Sequence, residues 1–194
     1  MIESKEQLAY YIRQDALADG HTNTTPKLFG GWPNTIWKYK IFMRKAEYYR
    51  NKKKKNIIDK LLEEYYLLRY TNLGIKLGYT IPLNVVKEGL SLPHYGTIII
   101  NGSSKIGKNC RIMADVCIGS TSGVNLAGNI GDNVYIGTGA KIIGTIKIGN
   151  NCVIGANSVV THDVDDDMVV AGIPAKVIKK NDGLLNLSSL LFEK

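Results

Sequence analysis

Residues 106–160 read IGKNCRIMADVCIGSTSGVNLAGNIGDNVYIGTGAKIIGTIKIGNNCVIGANSVV, and the count in this stretch decides the fold. Every sixth residue is aliphatic and β-branched: Ile106, Ile112, Ile118, Val124, Ile130, Ile136, Ile142, Ile148, Ile154 and Val160. Glycine follows six of the first nine. A small residue such as Ser104, Cys110, Ala140, Cys152 or Ser158 stands two places before many of them. A helix repeats near 3.6 residues and a strand near 2, so a period of six is neither. Each hexad is read as one short strand and one turn, with the aliphatic inward, the small residue filling the corner and glycine relaxing the bend. Three hexads then close one coil of about 18 residues, and stacked coils make a solenoid.

Working outward, the chain of 194 residues is long enough for one domain or two small ones. No signal peptide is read at MIESKEQLAYYIRQD, and no apolar run is long enough to span a bilayer. Cys110, Cys117 and Cys152 form no CxxC pair and are read as reduced thiols of a cytoplasmic protein. The net charge is +8, and residues 1–76 hold 15 Lys and Arg against 8 Asp and Glu. The densest run, Lys52 to Lys55, is either a solvated helix end or an attraction for an anionic membrane surface or a phosphorylated acceptor. No nucleic-acid partner is expected.

Three boundaries follow: an N-terminal helical segment over 1–72, a β-solenoid over 73–180 and a tail over 181–194. Ser4 and Gln7 form a capping-box pattern, and Gly20 closes the first helix. Pro33 opens a second helix. In the third, Ile57, Ile58, Leu61, Leu62, Tyr65 and Leu68 make an apolar stripe opposite Asp59, Lys60, Glu63 and Glu64. The stripe is to be buried against the other helices, the open end of the solenoid or a neighbouring subunit. Counting back from Ile100 lands on His94 and then Glu88, so the register shifts there. The apolar piece LLNLSSLLF in the tail packs back as a helix.

Three histidines are present, His21, His94 and His162, and none belongs to a cluster with metal-ligand spacing, so no metal is expected. The acidic run Asp163 to Asp167 lacks the spacing of a calcium loop and reads as a solvated turn. His94 lies at the entry to the regular repeats between Pro93 and Tyr95. It is either a packing histidine or a general base that deprotonates a hydroxyl.

The hexads together with IGANSVVTHDV…MVVAGIPAKVI resemble the hexapeptide-repeat acyltransferases over roughly residues 73–180. The segment GLSLPHYGTIIINGSSKIGKNC is similar to the part of serine acetyltransferases that carries their catalytic histidine. The resemblance implies a mainly β fold, a left-handed parallel β-helix with an N-terminal α-helical segment. It implies homotrimers with acetyl-CoA held between neighbouring β-helices, and direct transfer to a hydroxyl with His94 as base. It implies cofactor contacts from Thr138, Ala156, Thr161 and His162, with Lys176 and Lys179 at the nucleotide phosphates. Three departures stand out. Tyr79 occupies the place of the aspartate that orients the family's histidine, and Pro93 replaces another aspartate. The loop GSTSGVNLAG lacks the Arg-His pair that holds an amino-acid substrate. An amino-acid carboxylate needs a counter-charge.

The function expected from these departures is therefore acetyl-CoA-dependent O-acetylation of a sugar hydroxyl in surface polysaccharide synthesis, with peripheral membrane contact through the basic helices. The alternative is L-serine O-acetylation for cysteine synthesis, and a third reading is a non-catalytic assembly subunit. The acceptor, the group that orients His94 and the acyl length are left open by the sequence.

Overall fold

The computed structural model describes residues 1–21, 23–121 and 126–183. Three helices come first: α1 (Lys5–Ala18), α2 (Trp32–Asn51) and α3 (Ile57–Leu77). Ser4 Oγ accepts from the Gln7 backbone N–H at 3.2 Å, and Gln7 Oε1 accepts from that of Ser4 at 3.3 Å, which closes the capping box. Asn56 and Asp59 form a second box at the start of α3, and Gly78 ends that helix at φ 81°. The helix runs on past residue 72, where the sequence reading places the change to strands.

The strands are short: β1 (Tyr79–Thr80), β2 (Ile98–Ile100), β3 (Lys105–Ile106), β4 (Arg111–Ile112), β5 (Val116–Gly119), β6 (Asn129–Ile130), β7 (Tyr135–Ile136), β8 (Lys141–Ile143), β9 (Lys147–Ile148), β10 (Val153–Ile154), β11 (Val159–Val160), β12 (Met168–Gly172) and β13 (Ala175–Lys180). They form three sheets, β1-β2-β5-β8-β11, then β3-β6-β9, then β4-β7-β10-β12-β13. The chain visits these sheets in that rotation, round after round. Val86, Ser91 and Val164 stand in for strands where a round is irregular. Pairing between rounds is parallel, and only β12 with β13 is antiparallel among the named strands.

The aliphatic column is the core. Ile106, Ile130 and Ile148 stack in the second sheet, Ile112, Ile136 and Ile154 in the third, and Ile118 and Ile142 in the first. All of them are buried, with Cys110, Ala140 and Cys152 beside them. The sixfold count hides one irregularity. Asn109 pairs with Asn133 across 24 residues, whereas Asn133 pairs with Asn151 across 18. The six extra residues fall in the interval that holds the antiparallel bridge of Ser120 with Ala127. The count survives because the addition is itself one period long. Val124 lies outside the described residues, as does the apolar tail piece after residue 183.

The role assigned to glycine also needs correction. The glycines after the aliphatics do not hold left-handed backbone. They let successive rounds touch: a Cβ on Gly107 would lie 2.4 Å from the Gly131 carbonyl oxygen, and one on Gly131 would lie 2.7 Å from that of Gly149. The left-handed residues come three places after the aliphatics: Asn109 (φ 53°), Asp115 (62°), Asn133 (58°), Asn151 (56°), Asn157 (55°) and Asp167 (61°). Asn and Asp tolerate this region better than other side chains with a Cβ. Their amides form a ladder: Asn109 Nδ2 donates to Asn133 Oδ1 at 3.1 Å, Asn133 to Asn151 at 3.0 Å, and Asn151 to Asp167 at 2.8 Å. The acidic run thus continues the ladder, and Asp166 Oδ1 accepts from the Asn150 backbone at 2.7 Å.

α2 closes the open end of the stack. An end round presents unpaired backbone groups. Arg44 donates to the Val86 and Lys87 carbonyls at 2.8 and 2.7 Å, and Lys40 Nζ donates to that of Leu90 at 2.8 Å. Asp15 Oδ1 accepts from the Leu90 N–H at 2.8 Å. Ile36, Tyr39 and Met43 of α2 share one core with the first rounds.

Candidate active site

The site builds up along one corner, where the chain turns from the third sheet to the first. In successive rounds this corner carries His94, Ala114, Thr138 and Ala156. Parallel pairing sets the levels: Ile98 lies beside Val116, Gly139 N–H donates to the Ala114 carbonyl at 2.9 Å, and Asn157 N–H to that of Thr138 at 2.8 Å. With strands about 4.8 Å apart, Thr138 stands two levels and Ala156 three levels from His94, roughly 10 and 14 Å. Thr138 and Ala156 are exposed. This edge therefore runs from an exposed imidazole to an open backbone corner.

His94 projects outward. Its ring packs against Trp32 of α2, with centroids 5.9 Å apart and planes 30° apart. Trp32 also meets Tyr95 edge-on at 5.8 Å. Tyr79, in the place of the family's aspartate, donates its hydroxyl hydrogen bond to the His94 backbone carbonyl. It fixes the turn and not the ring. Burial, and then the negative charge of Asp19, push the Tyr79 phenol far above its ordinary value, so it stays a donor. Glu88 lies 3.7 Å from Lys108.

The remaining sequence-predicted residues divide. Lys176 and Lys179 lie on β13, in register with Ala171 and Val169 of β12, and β12 pairs with β10 directly before Ala156. Thr161 and His162 stand on the next corner, between the first and second sheets, with Thr161 Oγ1 3.0 Å from His162 Nδ1. Within one chain they do not join the edge that carries His94.

The sequence reading missed a cavity of about 280 Å³ behind His94. Its walls include Asp19, His21, Trp32, Ser91, Pro93 and Arg111. One signal was present: Asp19 is the C-cap of α1, where a carboxylate opposes the helix dipole. Such a residue is held there by something else, here Lys40 at 2.5 Å. Burial lowers the His21 pKa below its ordinary value, and its ring lies 5.1 Å from that of Trp37. Arg111, a single cation between two core residues, gave no periodic signal.

Residues 128–162 match the model of the bacterial transferase hexapeptide (six repeats). The chain is 38% identical to a serine acetyltransferase of Synechococcus elongatus over 97 residues, which are 48% of this chain and 39% of that one. It is 32% identical to the serine acetyltransferase of Buchnera aphidicola subsp. Schizaphis graminum over 139 residues, 69% of this chain and 52% of the other. The chain thus spans about half or less of these relatives. Among solved structures, Neisseria gonorrhoeae serine acetyltransferase in complex with serine superposes with a TM-score of 0.62 and 26% identity, over 89% of this chain and 69% of that one. Repeats and sheets together are those of a hexapeptide-repeat protein. Over the matched part the chain is similar to serine acetyltransferases.

These relatives overturn the sugar acceptor expected from the sequence, since their names point to serine. The structure supplies a physical reason why the basic N-terminal charge misled. Lys40 and Arg44 are buried against Asp19, Asp15 and Glu47. Lys52 and Lys55 reach Asp59 and Glu63 at 2.7 and 2.6 Å. Several of these basic residues thus serve the fold, and although 15 against 8 still leaves residues 1–76 net positive, that charge singles out no acceptor and gives surface polysaccharide synthesis no support.

Proposed function

We propose that the protein is an acetyl-CoA-dependent L-serine O-acetyltransferase. The observation that carries this reading is the corner that aligns His94 with Thr138 and Ala156, beside a cavity of amino-acid size. The similarity to serine acetyltransferases supports serine as acceptor. His94 takes the proton of the acceptor hydroxyl as that oxygen attacks the thioester carbon. The carbon–sulfur bond then breaks, and the imidazolium returns the proton to the leaving thiolate. A thioester is already activated, so the protein chiefly supplies a base and alignment. The pantetheine arm follows Thr138 and Ala156, and Lys176 and Lys179 meet the nucleotide phosphates. Thr161 and His162, on the neighbouring corner, reach a cofactor only across a subunit boundary, which agrees with a groove formed between copies.

The handedness proposed for the stack is left-handed, as in its hexapeptide-repeat relatives, and the assembly proposed is a homotrimer. The exposed side of α3 supports self-association, because Ile58, Leu61, Tyr65, Leu68 and Ile75 follow one another at coiled-coil spacing and all face outward. A reducing, cytoplasmic setting fits the free cysteines, and burial raises the Cys110 thiol to about 12.

The test is thiol release from acetyl-CoA in the presence of L-serine. His94→Ala is expected to lower kcat by about 10²–10⁴ with the KM for acetyl-CoA little changed. Turnover at the wild-type rate in that variant would remove His94 from the chemistry.

A further inference from the structure

The cavity behind His94 holds three buried polar atoms with no hydrogen-bond partner: Asp19 Oδ1, Ser91 Oγ and Arg111 Nε. Groups of this kind are costly to leave unpaired, and most buried polar atoms find partners. Here one anionic, one cationic and one hydroxyl group surround the same space. Asp19 has its other oxygen on Lys40 at 2.5 Å, and Ser91 is 4% exposed. The rest of the wall is largely apolar, including Trp32, Pro33, Ile36 and Leu92. Trp32 and Pro93 connect this space to the imidazole, since Trp32 packs on the His94 ring and Pro93 precedes it.

We propose that Arg111 and Asp19 clamp the two charges of the acceptor amino acid, the guanidinium on its carboxylate and the free carboxylate oxygen on its ammonium. Ser91 supplies a further hydrogen bond, and the side-chain hydroxyl is directed towards His94. This assignment rests on the reading of the protein as a serine acetyltransferase. It also follows from charge. A simple anion would face Asp19, a simple cation would face Arg111, and a sugar hydroxyl would hydrogen-bond to either but neutralise neither. A zwitterion satisfies both, through charge-assisted hydrogen bonds. The counter-charge absent from the loop 119–128 is thus supplied from β4.

The experiment compares the wild type with Arg111→Met, which breaks no hydrogen bond or ion pair among the described residues, and with Asp19→Asn. Calorimetric binding of L-serine is measured beside thiol release with L-serine, ethanolamine (no carboxylate) and 3-hydroxypropionate (no ammonium). The wild type is expected to favour L-serine over both analogues. Arg111→Met is expected to weaken L-serine binding and raise its KM by about 10- to 100-fold. Its turnover of ethanolamine and its KM for acetyl-CoA stay as in the wild type. Asp19→Asn is expected to spare 3-hydroxypropionate in the same way, and thermal melts of both variants report on folding. An unchanged L-serine affinity in a folded Arg111→Met overturns the clamp. Wild-type binding that depends on Arg111 but leads to no acetyl transfer keeps the clamp and removes the proposed activity. Neither binding nor turnover by the wild type removes both.

Discussion

Asn133 shows how a single backbone angle is fixed by the sequence. It holds φ 58° and carries two amide bonds of the ladder, to Asn109 and Asn151. Asn133→Ala keeps a Cβ in the left-handed region but loses the polar side chain that makes this angle tolerable for asparagine, and it removes both bonds. The expected outcome is a lower Tm, with Asn133→Gly intermediate because it restores the angle but not the ladder. Calorimetric melting checks this, and an alanine variant as stable as the wild type would contradict it. At this scale the sequence was half legible. The glycines after most of the aliphatics stood out, but at Gly107 and Gly131 their reason is the 2.4–2.7 Å approach between rounds and not a turned backbone. The asparagines do turn the backbone. They went unread because a polar residue at a corner resembles an ordinary surface residue. The same blindness hid Asp19 and Arg111, whose meaning depends on a cavity that no spacing describes.

For the helices, the order was readable and the facing was not. The apolar stripe of α3 was expected to be buried against the other helices, the solenoid end or a neighbouring subunit; within the chain Ile57, Ile58, Leu61, Tyr65 and Leu68 face outward, which leaves only the last of these, while Asp59 is buried. The inward side carries Asp59 and Glu63 because the lysines before the helix fold back upon them. Helix α2 departs further from a simple amphipathic pattern, since its buried face includes Lys40, Arg44 and Glu47. Arg44 joins α1 to the end round through Asp15 at 2.8 Å and two carbonyls. Burial opposes its charge, but Asp15 and Glu47 outweigh that and hold its pKa above the ordinary value. Arg44→Met fills the space but leaves two carboxylates without their cation. It is expected to cost about 3–5 kcal/mol, read as a lower urea midpoint. Adding Asp15→Asn should recover part of the loss, and a single variant that unfolds at the wild-type midpoint would show that this cluster does not hold the cap.

The whole molecule follows from the period of six, which set the rounds and their core before any coordinates. It did not disclose the six extra residues, because an insertion of one full period is silent in such a count. It also contained, unread, the separation of Ala156 from His162: six residues is one corner. The outward seam of α3 bears on assembly. Light scattering is expected to give the mass of an oligomer for the wild type, and Leu61→Glu combined with Leu68→Glu is expected to reduce it. An unchanged mass would show that this seam is not a contact. The final hairpin has a separate consequence. A parallel stack of this kind offers its last strand as a template on which another chain can add, and end-to-end growth into filaments would follow. Strand β13 reverses direction there and carries Lys176, Lys179 and Lys180. Among the described residues, the sheet that bears it ends in a strand of repelling charges, which disfavours the addition of another chain there.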